Sequence, residues 1–137
     1  MSDPSSADSA GNPRSASPMQ AVIYHNPRCS TSRKALEMIR AAGIEPAIVE
    51  YLRDPPDRDA LARLIADAGI PVREAIRSKE AAFAGLGLDA PGIDDDALID
   101  AMVREPILIQ RPFVRTGLGT RLGRPVEVIG EILPPGQ

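Results

Sequence analysis

Cys29 is the single cysteine of the chain, so it can form no internal disulfide and is left with burial or reactivity. It stands in a polar turn, His25-Asn26-Pro27-Arg28, between a run of strand formers and a helical pattern, which is a poor place to bury a thiol. At the start of a helix, unpaired backbone N–H groups and the positive end of the helix dipole favour a thiolate, so the position predicts a lowered thiol pKa. His25, Arg28, Arg33 and Lys34 act in the same direction, with no acidic residue from Ala21 to Leu36. Cys29-Ser30-Thr31-Ser32 keeps the first position of a Cys-x-x-Cys redox motif and carries serine at the second. Such a thiol can attack but cannot resolve its own adduct, so turnover as an oxidoreductase requires an outside thiol. A cysteine-phosphatase loop needs arginine six positions after the cysteine, and Ala35 occupies that place. His25 either polarises the thiol or caps the turn through a backbone hydrogen bond.

Arginines supply a second signal. Arg111, Arg115, Arg121 and Arg124 fall in a stretch from Ile107 to Pro125 that has no acidic residue. A solvated strand face accounts for some of them. Arg111-Pro112 and Arg124-Pro125 sit at the ends of elements, where forked guanidinium donors can converge on a tetrahedral oxyanion. Arg77, at the end of a short helical segment, reads on its own as a surface residue. Asp94-Asp95-Asp96 suits the first turn of a helix, where negative charge is favourable, and takes no catalytic role.

The elements that position these residues follow from apolar spacing. Ala21 to Tyr24 reads as a strand; Ala35, Leu36, Met38, Ile39 and Ala42 mark one face of a helix that Gly43 stops; Ala47 to Tyr51 reads as a second strand. The resulting βαβ unit favours a parallel pair. Leu61, Leu64, Ile65 and Ala68 predict a helix stopped at Gly69, Pro71 to Lys79 one or two further helical turns ending near Arg77, and Leu98 to Met102 a helix ending before Pro106. Ile107-Leu108-Ile109 and Phe113-Val114 read as strand material, Gly117-Leu118-Gly119 as the turn of a hairpin into Thr120-Arg121-Leu122, and Pro125 as the first residue of a closing helix. The order is βαβ, a helical stretch, then ββα.

At 137 residues the chain is the size of one domain. Residues 1–20, with six serines and three prolines, read as a disordered tail, residues 21–133 as the folded domain and residues 134–137 as a second tail. Met19, just before the first strand, is a candidate alternative translation start. A net charge of −3 and four aromatic residues (Tyr24, Tyr51, Phe83 and Phe113) argue against nucleic-acid binding. One histidine beside one cysteine argues against a protein-built zinc site. No apolar run approaches a membrane span and no leader pattern opens the chain, so a cytoplasmic protein without a membrane partner is expected.

Ile23-Tyr24-His25-Asn26-Pro27-Arg28-Cys29-Ser30-Thr31-Ser32-Arg33 resembles the Tyr-His-Asn-Pro-x-Cys-x-x-Ser-Arg signature of the glutaredoxin-dependent arsenate reductase family. The resemblance runs from about Ala21 to Leu133 and includes Pro106-Ile107-Leu108-Ile109, Arg111-Pro112 and Leu118-Gly119-Thr120-Arg121-Leu122-Gly123-Arg124-Pro125. It implies an α/β fold of the thioredoxin/glutaredoxin type with a mixed sheet and a helical insertion. It also implies reduction of arsenate to arsenite, in which Cys29 attacks arsenate, His25 and Ser32 support the thiolate, and Arg77, Arg111 and Arg124 bind the oxyanion. Glutathione and reduced glutaredoxin would serve as co-substrates of a monomer with no bound cofactor or metal. The same resemblance makes Arg111-Pro112 a candidate cis bond. Ser30 stands where members associated with arsenate have glycine, and Thr116-Gly117-Leu118-Gly119 replaces a Thr-Pro-Leu-Gly turn, as in a related branch of the family. Two other functions use the same fold: a regulator resembling Spx that contacts RNA polymerase, against which Ser32 in place of a second cysteine argues, and a glutathione-linked thiol-disulfide reductase, which needs Cys29 but not the arginines.

Overall fold

The computed structural model describes residues 20–134; the expectations for the two tails, and for a start at Met19, concern residues that lie almost wholly outside that range. Four strands form one mixed sheet in the order β2-β1-β3-β4: β1 (Ala21–Tyr24), β2 (Ala47–Val49), β3 (Phe113–Thr116) and β4 (Gly119–Leu122). β1 and β2 are parallel, with Tyr24 opposite Val49, and are joined by helix α1 (Ser30–Ala41). β3 runs antiparallel to β1, with Phe113 opposite Tyr24, and β4 antiparallel to β3. The expected βαβ unit and hairpin are both present.

Period-two alternation divides the sheet between two apolar clusters. Ala21, Ile23 and Val114 face Ala35 and Ile39 of α1 together with Val126, Ile129 and Ile132. Tyr24, Phe113 and Leu122 face the other way, toward α2 (Arg58–Ala68) and α5 (Asp95–Arg104), whose Leu61, Leu64, Ile65, Leu98 and Met102 are almost completely buried. The helices therefore cover both faces of the sheet. Asp57 and Asp94 accept backbone N–H bonds from Ala60 and Ala97 as the caps of α2 and α5, so the acidic run does the capping expected of it. Gly69 ends α2 at φ +70°, a conformation that a Cβ would strain.

Several local expectations need correction. The second strand stops at Val49, and Tyr51 lies beyond it in a turn. The segment after Pro71 is a single helical turn, α3 (Val72–Ala75), and the chain then extends so that Ile76 bridges to Ile109. Ile107-Leu108-Ile109 is not a strand: Pro106–Leu108 forms a 3-10 turn, with proline at its start, and only Ile109 takes part in sheet-like pairing. Residues 80–93, rich in glycine and alanine, contain a short helix, α4 (Ala81–Gly85). The closing segment Val126–Ile132 is 3-10 rather than α-helical, and Pro125 precedes it as its cap. Val126, Val128, Ile129, Gly130 and Ile132 are poor α-helix formers, and packing against α1 holds the tighter turns instead.

Candidate functional site

Cys29 sits at the carboxyl end of the parallel pair, where the loop leaving β1 turns into α1. The His25 N–H donates to the Val49 carbonyl at 2.8 Å, which anchors the loop to β2, and the Cys29 N–H donates to the Asn26 carbonyl at 3.0 Å, which closes the turn. Cys29 is the N-cap of α1 with extended backbone, and its carbonyl accepts the first helical bond, from Arg33 N–H at 3.0 Å. The thiol is half-buried.

Four influences set its protonation. Partial burial pushes the thiol pKa up, but the backbone N–H of Ser32, the charge and hydrogen bonding of the Arg111 guanidinium and the backbone N–H of Thr31 push it down by more, and the net shift is downward. The direction agrees with the expectation drawn from helix position. Residue spacing alone did not make Arg111 a neighbour of the thiol, although the family resemblance put both at one oxyanion site; it lies 82 residues on, and the pairing of β1 with β3 brings it there.

The side-chain hydrogen bond that the structure gives His25 and Ser32 joins them to each other. The Ser32 hydroxyl is fully buried and lies 2.6 Å from His25 Nδ1, the imidazole tautomer deciding which of the two donates, and it accepts the Asn26 N–H at 3.0 Å. Ser32 thus locks both ends of the loop while its own backbone N–H faces the thiol. Burial lowers the His25 pKa, opposed by the charge of Glu50 and assisted by those of Arg33 and Arg40, so the imidazole is neutral at neutral pH. Of the two readings open for His25, the geometry supports a role in the loop. Arg33 adds a bond from its guanidinium to the Pro27 carbonyl at 2.8 Å.

Three arginines from separate parts of the chain meet in one cleft. Arg77, Ser78, Lys79, Gln110, Arg111 and Arg124 line a cavity of about 270 Å³. The antiparallel contact of Ile76 with Ile109 puts Arg77 beside Gln110 and Arg111, with the Arg77 N–H on the Leu108 carbonyl at 2.7 Å and the Gln110 N–H on the Ala75 carbonyl at 2.8 Å. Arg124 donates to the Arg111 carbonyl at 2.9 Å. Both arginine–proline bonds, Arg111-Pro112 and Arg124-Pro125, are cis; the first was expected and the second was not. Arg77 is no isolated surface residue, since its guanidinium also meets Glu80 at 2.6 Å and the Ile107 carbonyl at 3.3 Å. A second cleft, of about 370 Å³, opens on the other side of Arg124 and is lined by Ser30, Thr31, Lys34, Pro125 and Val126.

Residues from the same end of the sheet carry unmet hydrogen-bonding capacity. Among the described residues, the buried side-chain polar atoms without a partner are Tyr51 Oη, Gln110 Oε1 and Arg111 Nε. Tyr51, Gln110, Asn26 and Glu80 were not singled out from the sequence. A tyrosine among strand formers and a glutamine before an arginine carry no local mark of function. No group of three or more metal-ligating side chains occurs among the described residues, and none of their helices is long and apolar enough to cross a membrane.

Residues 24–132 match the ArsC family. The chain belongs to that family. It is 59% identical over 116 residues to the arsenate reductase of Rhizobium meliloti (strain 1021), which spans 85% of this chain and 83% of that one, and 56% identical to the arsenate reductase of Escherichia coli (strain K12), over 85% and 82%. A solved arsenate reductase from Vibrio cholerae superposes with a TM-score of 0.80 at 42% identity, covering 84% of this chain and 98% of that one. The α/β fold of the thioredoxin type expected for an ArsC chain is therefore the one observed.

Proposed function

We propose that this ArsC-family protein is an arsenate reductase that uses Cys29 as its nucleophile and glutathione and glutaredoxin as its source of electrons. The observation that carries the reading is the convergence of Arg77, Arg111 and Arg124 on one cleft, with Arg111 shared between that cleft and the thiol. Forked donors from three directions suit a tetrahedral oxyanion, and a thiolate stabilised by Arg111 stands at its edge. The arsenate reductase names of relatives at 55 to 59% identity point to the same substrate, even with Ser30 after the cysteine.

In this mechanism the Cys29 thiolate adds to arsenic(V) and one arsenate oxygen leaves as water after taking up protons. The guanidinium groups offset the negative charge that two approaching anions would otherwise bring together, and preorganised donors of this kind are each worth about 3 kcal/mol in a transition state. A glutathione thiol then attacks the cysteine-bound adduct. Reduction to arsenic(III) takes two electrons, which come from joining two thiol sulfurs into one disulfide, and arsenite leaves. With no second cysteine in the chain, the disulfide must be returned to thiols from outside, which is the work assigned to reduced glutaredoxin. The second cleft supports glutathione as the partner: it flanks the residues that follow Cys29, its volume suits a tripeptide, and Lys34 and Arg124 in its lining supply positive charge for the carboxylates of such a molecule. His25 and Ser32 act by holding the loop that aims the sulfur.

The test is arsenite formation from arsenate with glutathione, glutaredoxin, glutathione reductase and NADPH, comparing the wild-type protein with Cys29→Ser. Turnover that disappears in the variant is the expected result. Absence of turnover in the wild-type protein, with a Cys29 that still alkylates rapidly at neutral pH, would overturn arsenate as the substrate and redirect the search to other oxyanions or protein disulfides.

A further inference from the structure

Arg124 lines both clefts of the site: the one it shares with Arg77 and Arg111, and the second, between the first turns of α1 and the Pro125-Val126 segment. A single guanidinium fork grips one anion at a time, and one nitrogen of this fork is already held by the Arg111 carbonyl at 2.9 Å. With a tetrahedral oxyanion in the first cleft, Lys34 is the remaining cation in the lining of the second. Lys34 is exposed and meets no carboxylate among the described residues. Ser30, Thr31 and Lys34 share one face of α1, at spacings of four and three residues, and all three line the cleft. Helical side chains lean toward the N-terminus, so the four-carbon stem of Lys34 runs back over the first turn toward Cys29, about 7.5 Å of helix rise away. An anchor set apart from the reacting sulfur by that span suits a thiol whose carboxylate lies several bonds from its own sulfur.

We infer that Lys34 is the specificity residue for the thiol co-substrate: its ammonium group holds a carboxylate of a peptide thiol of the glutathione class seated in the second cleft, with the sulfur of that thiol toward Cys29. The inference rests on the reductase reading above and adds to it the residue that chooses among thiols. Arg124 stays with the oxyanion, so the two substrates occupy adjacent clefts without competing for one guanidinium. Lysine suits this task, because a compact charge on a flexible stem can follow a carboxylate that arrives on a freely rotating chain. Thiols without a remote carboxylate gain nothing from Lys34 and react at the rate set by Cys29 itself.

Thiol exchange at Cys29 in the full chain, without arsenate, tests it. The Cys29 thiolate attacks a disulfide, forms a mixed disulfide with one half and releases the other half as a thiolate, and mass spectrometry follows the rate. Oxidised glutathione carries remote carboxylates, and hydroxyethyl disulfide carries none. Lys34→Gln should lower the ratio of the two rates by about 3- to 10-fold, and Lys34→Arg should keep it within about twofold of the wild type. Arg28→Gln, which removes an exposed charge beside Cys29 but outside the cleft lining, should leave the ratio unmoved. In arsenate reduction, the KM for glutathione should rise in Lys34→Gln while the KM for arsenate holds. A ratio unchanged in Lys34→Gln would overturn the inference, whether both rates hold or both fall. An equal drop of the ratio in Arg28→Gln would overturn it too, by assigning the effect to diffuse charge. A wild-type protein that fails to reduce arsenate but keeps a Lys34-dependent preference for oxidised glutathione would overturn the arsenate reading and leave the assignment of Lys34 standing.

Discussion

The arginines of the cleft and those of the outer surface belong to the same residue type and in part to the same short stretch of chain, yet they are used in opposite ways. On the surface several meet a carboxylate: Arg115 pairs with Asp67 at 2.8 Å, Arg121 with Glu131 at 3.0 Å, Arg40 with Glu45 at 2.8 Å, and Arg58 with both Asp96 and Asp100. In the cleft, Arg111 and Arg124 have no carboxylate partner among the described residues; a backbone carbonyl holds Arg124, and the thiol lies beside Arg111. Arg77 is intermediate, with one carboxylate, Glu80, on its guanidinium. A guanidinium already matched by a carboxylate is fastening for the surface and contributes little, whereas one held in place with its fork open is ready for an anion that arrives from outside.

The sharpest way to break this contrast is Arg111→Ala. It removes an oxyanion donor and a stabiliser of the thiolate together, so kcat/KM should fall on the order of 100- to 1,000-fold. The pH profile of Cys29 alkylation should move up at the same time, and a fall in rate with an unmoved profile would separate Arg111 from the sulfur.

A smaller effect comes from pH. His25 takes up its proton only as the pH falls below neutral. Its folded pKa lies below the ordinary value of 6.5 because it is buried. Below about pH 6.5 the unfolded chain therefore binds a proton that the folded chain resists, so stability is fully present above that value and is lost as pH falls toward the folded pKa. Urea midpoints measured from pH 7.5 down to 5 should fall, and His25→Asn should flatten that part of the curve.

Glu80→Gln probes the intermediate arginine. Releasing the Arg77 fork from a partly buried carboxylate should lower the arsenate KM by about 2- to 5-fold, since the pair competes with the substrate for one guanidinium. A raised KM would mean that Glu80 holds Arg77 in its working position. The smallest effect belongs to Arg115→Ala on the outer face: stability should change by no more than about 1 kcal/mol and arsenate kinetics should match the wild type. A marked kinetic loss there would erase the distinction between the two groups of arginines.

Much of the positioning scaffold was legible along the chain. Apolar spacing and the stops at Gly43 and Gly69 marked α1 and α2, a run of strand formers marked β1, strand material on either side of Gly117-Leu118-Gly119 marked the hairpin, and the polar turn after β1 marked Cys29 as a candidate nucleophile. These signals are local, because helix period, strand period and turn chemistry are set within a few residues. The misread segments are those whose conformation depends on distant partners. Ile107 to Ile109 is as apolar as a strand, but Pro106 starts a 3-10 turn there and Ile109 reaches only Ile76. Val126 to Ile132 has helical spacing, but β-branched residues and Gly130 leave its form to packing against α1.

By itself the sequence determined the chemical candidates: a lone thiol at a helix start, an acid-free setting, and arginines next to prolines at element ends. Residue types and spacing could not assign them to one another, and within the sequence only the family resemblance grouped Cys29 with Arg77, Arg111 and Arg124. The 82-position separation of Cys29 and Arg111 is bridged by the pairing of β1 with β3, and Arg77 reaches the cleft through the contact of Ile76 with Ile109. Tyr51 and Gln110 became visible only when burial and hydrogen-bond partners could be counted atom by atom. Burial, unmet hydrogen bonds and the separation of charges are properties of three-dimensional proximity, so tertiary structure decided which arginines face an open cleft and which are spent on carboxylates.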